Sequence, residues 1–314
     1  MASEPASKKP FRILSLDGGG AKGFYTLGVL REVEAAVDRP LCDVFDLIYG
    51  TSTGSIIGTL LSIGKRVETI HELYREHVPT VMRASSATEK TAALAKLAET
   101  IFKDGGFETI KTGIGIVATN WQTDTPMIFK ADLGQAHGRT ATFVPGFGCK
   151  LKDAVQASCS AYPFFERKMV TTSAGNTIEL GDGGFCANNP ALYAVADATK
   201  AFKVEKSDIA LLSIGCGVYP APKKRFTSKD YWIGKLPSVK LLQKVLEVNT
   251  QSMEQLGKVL FNDVKTVRVN HRFSKPEMAT DLLEHDLTKL NILRQQGSLS
   301  FAEREADIRA VLGV

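Results

Sequence analysis

The amino-acid sequence predicts an α/β protein: a doubly wound, mostly parallel sheet flanked by helices, with a helical C-terminal part. Two strand–turn–helix corners and a late change of composition carry that prediction. In the first corner, FRILSLDGGG (residues 11–20) is a short apolar run ending in aspartate and three glycines, the pattern of a buried parallel strand meeting a tight turn. The helix after it is marked by Leu27, Leu30, Val33 and Val37, which recur at helical spacing. The second corner, VFDLIYGTSTGSIIGTLLSIG (residues 44–64), repeats the order of strand, sharp turn and apolar helix. Beyond about residue 221 the chain turns basic and aromatic, and then helical in pattern.

The other elements follow in order. Residues 65–104, rich in Ala, Glu and Lys without a strand signal, predict a helical insertion near the site. Sheet-like runs return at TGIGIVATNW (112–121) and PMIFKAD (126–132), and LKDAVQASCSAYPFF (151–165) predicts a helix stopped before Pro163. TIELGDGG (177–184) is another strand-to-turn corner, and IALLSIGCG (209–217) a further buried strand. The tract at 240–261 predicts a helix with an apolar stripe at Leu242, Val245, Met253, Leu256 and Leu260. Residues 1–9 read as a flexible lead-in. One domain is expected over 10–314, with core motifs at 11–215 and a helical extension at about 221–314, and no internal repeat interrupts it.

Composition narrows the class. With 44% hydrophobic and 23% charged residues, the chain is globular in character. The net charge of +5 is compatible with an anionic membrane surface or a nucleotide ligand without demanding either. Cys42, Cys149, Cys159, Cys186 and Cys216 form no C-x-x-C pair, so reduced thiols are expected, with neither a metal site nor a bound cofactor. MASEPASKKP lacks a signal-peptide apolar run, and the longest apolar stretch, Ser55 to Ile63, is too short to span a bilayer. The expected location is cytoplasmic, with peripheral contact at the inner face of the membrane.

Three motifs carry chemistry. Gly50-Thr51-Ser52-Thr53-Gly54 is a G-x-S-x-G between strand and helix, where a nucleophilic serine can stand proud of the surface and receive the field of a helix N-terminus. Asp17-Gly18-Gly19-Gly20-Ala21-Lys22-Gly23 offers consecutive unshielded N–H groups to a developing oxyanion. Gly18, Gly20 and Gly23 also fit a dinucleotide fingerprint, with Asp38 or Asp43 about twenty residues on. Gly181-Asp182-Gly183-Gly184 ends a strand, and an aspartate there is expected to reach a serine on a neighbouring strand end because both corners lie at one edge of a parallel sheet.

Together the motifs resemble the patatin-like phospholipase family, whose pattern is a D-G-G-G-x-[KR]-G loop, a G-x-S-x-G elbow and a D-G-[GA] corner. They stand here at 17–23, 50–54 and 182–184. The resemblance implies a patatin-like fold and a phospholipase A type serine acyl hydrolase. Its Ser–Asp dyad would be Ser52 and Asp182, with an oxyanion hole built from Gly18, Gly19 and Gly20 and supported by Lys22; the N–H of Thr53, at the start of the helix after the serine, is a further candidate donor. No histidine is needed: His71, His77 and His137 precede the acid, and His271 and His285 lie in polar stretches without strand-end context.

The tract around EVNTQSMEQL is similar to bacterial patatin-like effectors of anti-phage signalling, which are switched on by cyclic oligonucleotides and degrade membrane phospholipid. That likeness implies a cyclic oligonucleotide activator whose binding residues remain unassigned. No nucleic acid polymer is expected as a partner, and a homo-oligomer is left open. Lys223, Lys224, Arg225, Lys229, Tyr231, Trp232, Lys235 and Lys240, opposed only by Asp230, suit anionic lipid headgroups or a phosphate-bearing ligand. Two competing readings stand beside this one. They are a dinucleotide-binding oxidoreductase on Gly18, Gly20 and Gly23, and a catalytically silent interaction protein on the same scaffold.

Overall fold

A computed structural model describes residues 9–221 and 237–314, without the side chains of 237–240. The basic and aromatic tract singled out above therefore lies outside the described residues or side chains, as do residues 1–8.

Both predicted corners form. Strand β1 (Phe11–Leu16) leads through the glycines to helix α1 (Gly23–Val37), and β2 (Leu47–Thr51) leads to α2 (Thr53–Ser62). The predicted insertion is a pair of helices, α3 (Val67–Arg83) and α4 (Ala87–Phe102). After them come β3 (Gly113–Asn120), β4 (Thr125–Lys130) and α5 (Leu151–Ser158), which stops at Ser158 instead of running on towards Pro163. Next are β5 (Lys168–Thr171), β6 (Thr177–Asp182), the single turn α6 (Gly184–Ala187), α7 (Ala191–Lys200) and β7 (Ile209–Ile214). The C-terminal part holds α8 (Pro237–Leu260), α9 (Leu287–Ala302) and α10 (Glu305–Leu312). It also supplies strand β8 (Lys265–Val269), which no sequence pattern marked.

The eight strands form one sheet in the order β5-β6-β3-β2-β1-β7-β8, with β4 also paired to β3. From β3 to β8 the neighbours are parallel, while β4, β5 and β6 pair antiparallel. Strand alternation feeds two apolar layers. Leu14, Leu16 and Ile48 face one core with α1 and α2, whereas Ile13, Leu47 and Tyr49 face the other with Val195 and Ala198 of α7. The chain is thus wound on both faces, as the corners predicted.

The stripe read on α8 is only partly buried. Leu242 faces inward, whereas Val245, Leu256 and Leu260 are exposed at 42%, 42% and 55%. The residues that face inward include polar ones, Asn249 and Thr250, for a reason that belongs to the site.

Candidate active site

The Ser52 corner is strained. Ser52 sits at φ 53°, ψ −123°, a left-handed backbone that costs a non-glycine residue about 1–3 kcal/mol. Close backbone approach on each side excludes larger residues: a Cβ on Gly50 would collide with the carbonyl of Gly54, and one on Gly54 with that of Leu16. The turn is held from several elements. Ser52 N–H donates to Ser158 Oγ (2.9 Å), whose hydroxyl in turn donates to the Val117 carbonyl (2.6 Å). Tyr74 of α3 donates to the Thr53 carbonyl (3.0 Å).

Asp182 reaches the serine by a route different from the one the sequence suggested. β6 is antiparallel to β3, so the two corners do not share an edge of a parallel sheet. Instead, β2 and β6 lie along the same side of β3 and meet end to end, because β4 occupies its other side from Gly115 to Asn120. Thr51 is opposite Val117, and Asp182 is opposite the next residue, Ala118. A Cβ built on Gly183 lies 3.1 Å from Thr51 Cγ2, which shows how closely the strand ends abut.

The Asp182 carboxylate is buried, at 3% exposure. Oδ1 accepts the Gly184 N–H (2.7 Å), while Oδ2 has no partner of good hydrogen-bond geometry among the described residues. Burial raises the pKa from 3.8 to about 6, against the opposing pull of the Gly184 N–H and the Ser52 hydroxyl beside it.

The glycine loop abuts Ser52. A Cβ on Gly18 would lie 3.3 Å from Ser52 Cβ and would collide with the Asn188 side chain. The Gly18 N–H is engaged by the Asn188 carbonyl (3.0 Å), so it is not a free donor. Gly19 and Gly20 N–H have no backbone acceptor among the described residues, and neither does Thr53 N–H at the first position of α2. Lys22 lies across the loop, its Cε 3.7 Å from a Cβ built on Gly19.

These groups open into a cavity of about 950 Å³. One wall is apolar, with Val78 and Met82 of α3, Leu94 and Leu97 of α4, and Phe164 and Phe165. α8 and the segment from Asn270 to Leu283 add a mixed lining, polar at Gln243, Thr250, Gln251 and Asn270 and apolar at Leu246, Leu282 and Leu283. None of the five histidines lines it.

This geometry weakens the dinucleotide alternative. Gly23 packs α1 against the elbow, since a Cβ there would lie 2.5 Å from Thr53 Oγ1. Asp38 caps the far end of α1, about 22 Å of helix from the glycines, and Asp43 lies beyond it.

Comparison with known proteins agrees with the hydrolase geometry. Residues 14–195 match the family model described as patatin-like phospholipase. The chain belongs to this family. It is 57% identical over 303 residues to a cUMP-AMP-activated phospholipase of Escherichia coli, covering 96% of this chain and 93% of the relative. A cGAMP-activated phospholipase of Escherichia coli strain TW11681 is 28% identical over 264 residues, covering 74% and 70%. Patatin-T5 of Solanum tuberosum is 26% identical over 252 residues, covering 69% and 63%.

Within this patatin-like phospholipase the motifs pointed to the corners but not to the residues that hold them. Ser158, Tyr74 and Asn188 are such residues. Only Asn188 carried a local signal, the Asn-Asn-Pro break before α7.

Proposed function

We propose that this chain is a phospholipase A type enzyme that cleaves fatty acyl esters of membrane phospholipids through Ser52 and Asp182. The observation that supports the assignment most directly is a buried, incompletely hydrogen-bonded carboxylate of raised pKa beside a serine on a strained elbow. Ser52 Oγ attacks the ester carbonyl as Asp182 takes the hydroxyl proton. The N–H groups of Gly19, Gly20 and Thr53 face the resulting oxyanion, with Gly18 serving as the close-packed base of the loop and Lys22 as its support. Collapse expels the lysolipid alkoxide, which leaves with the proton from Asp182. A water then gives Asp182 a proton as it attacks the acyl-enzyme, and that proton returns to Ser52 when the fatty acid departs. The apolar wall suits an acyl chain.

The named activators of the two Escherichia coli relatives support a second part of the proposal: a cyclic dinucleotide switches this enzyme on, with cUMP-AMP the first to try. Contact with the membrane is peripheral. No helix among the described residues is long and apolar enough to cross it.

The test is fatty-acid release from mixed phospholipid vesicles by wild-type and Ser52→Ala protein, with and without a panel of cyclic dinucleotides. Ser52-dependent release with one nucleotide is expected. Release by Ser52→Ala at the wild-type rate would overturn the dyad, and equal release without nucleotide would overturn the switch.

A further inference from the structure

The residue just before the oxyanion glycines is held by an arginine that no motif marks. Asp17 is 2% exposed, and its two carboxylate oxygens accept from one guanidinium: Arg268 Nη1 donates to Oδ1 (2.8 Å) and Nη2 to Oδ2 (2.5 Å). Arg268 lies on β8 and spreads its remaining donors over two further elements. Nη1 also donates to Ser213 Oγ on β7 (2.9 Å), and Nε to Glu254 Oε2 on α8 (3.3 Å). The Arg268 and Glu254 side chains are only 12% and 21% exposed.

A buried ion pair of this kind is a weak source of net stability, because desolvation offsets much of the attraction. A two-pronged guanidinium–carboxylate contact does fix geometry. The Asp17 N–H is bonded to the Ile214 carbonyl (3.0 Å), so backbone and side chain together leave the residue little freedom. Directly after it come Gly18, Gly19 and Gly20, the part of the loop with the least intrinsic rigidity. The first glycine of the loop leads back to the same helix. Gly18 N–H donates to the Asn188 carbonyl (3.0 Å), and Asn188 Nδ2 donates to Thr250 Oγ1 of α8 (2.7 Å).

We propose that Arg268 is a positioning residue for ester hydrolysis: by clamping Asp17 it holds the Gly19 and Gly20 N–H groups where the oxyanion forms, and through Glu254 it ties the loop to α8. The inference rests on the dyad and oxyanion reading above.

Hydrolysis of a soluble short-chain p-nitrophenyl ester by wild-type, Arg268→Lys and Arg268→Gln protein tests it, with the cyclic dinucleotide that gives the highest wild-type rate present throughout and well below the melting temperature of each. kcat is expected to fall about tenfold for lysine, which keeps charge but not the fork, and about a hundredfold for glutamine, with KM within about twofold. The Ki of a trifluoromethyl ketone, which forms an oxyanion adduct on serine, rises in step with the loss of kcat/KM. If Arg268→Gln does not fold, Ser213→Ala removes one acceptor alone, and a severalfold fall in kcat at fixed KM is expected. A lower melting temperature with kcat and Ki unchanged makes the arginine merely structural and overturns the proposal. Ser52→Ala runs alongside. Full turnover by that variant sinks the underlying dyad reading, whereas a dead Ser52→Ala beside a fully active Arg268→Gln sinks only this inference.

Discussion

As the proposed base, Asp182 sets catalysis against stability within one side chain. A carboxylate must be ionised to take a proton from serine, so kcat/KM on a soluble ester should rise with pH through about 6, the value to which burial lifts Asp182. The same shift weakens the fold. The unfolded carboxyl ionises near 3.8 and the folded one near 6, so stability is lost as pH climbs between those values and the loss is complete above them. Two units correspond to a penalty on the order of 3 kcal/mol. Asp182→Asn, which keeps an acceptor for the Gly184 N–H, should therefore abolish hydrolysis yet melt higher than wild type at pH 7.5. The gap should narrow as pH falls from 6 to 4 and close by about pH 3, below the 3.8 at which the unfolded carboxyl ionises and where both states of Asp182 are protonated. Melting curves at the two pH values check this, and a variant that melts lower than wild type at pH 7.5 would contradict it.

At the scale of elements, α3 and α4 explain why an insertion stands between β2 and β3. Their side chains Val78, Met82, Leu94 and Leu97 line the apolar wall beside Ser52, so chain-length preference should be set there. Leu97→Trp places an indole in this apolar lining. Its rate on a sixteen-carbon p-nitrophenyl ester is expected to fall at least tenfold while the four-carbon ester is hydrolysed as before, and equal losses on both would count against the assignment. Nothing in residues 65–104 announced this role, because helical periodicity says that a face is buried and not against what. The corners at 17–23, 50–54 and 182–184 were legible for the opposite reason: glycine, aspartate and serine there answer to backbone geometry within a few residues. Long-range pairing was silent. The antiparallel course of β6, which brings Asp182 end to end with β2, is set by β3 and β4 and leaves no mark in TIELGD. Strand β8 and its Arg268 were missed because KTVRVN is a short run with only two apolar residues among six. The inward polar residues of α8 broke the stripe expected of a simple amphipathic helix. Asn249 accepts the Asn188 N–H (2.9 Å), so a face that periodicity marks as core is partly a polar grip on the site.

At the scale of the whole molecule, charge is distributed unevenly along the chain. Residues 223–240 carry six cations against one carboxylate, a surplus equal to the net +5 of all 314 residues. The remainder is balanced, so attraction to an anionic bilayer should behave as a local effect of one segment and not as a diffuse property of the surface. Each lysine or arginine near a surface rich in anionic lipid contributes about 1 kcal/mol, and that attraction fades beyond a Debye length of about 8 Å at 0.15 M salt. At 0.5 M salt the screening length falls to about 4 Å, which leaves apolar contact as the main attraction. Binding to vesicles with one third anionic lipid should therefore weaken at least tenfold between 0.1 and 0.5 M salt, whereas binding to zwitterionic vesicles should be weak and nearly independent of salt. Co-sedimentation over that range measures both. Salt-independent binding to both kinds of vesicle would assign membrane contact to exposed apolar residues such as Leu241, Val248 and Val259 of α8 instead, which are 57–68% exposed.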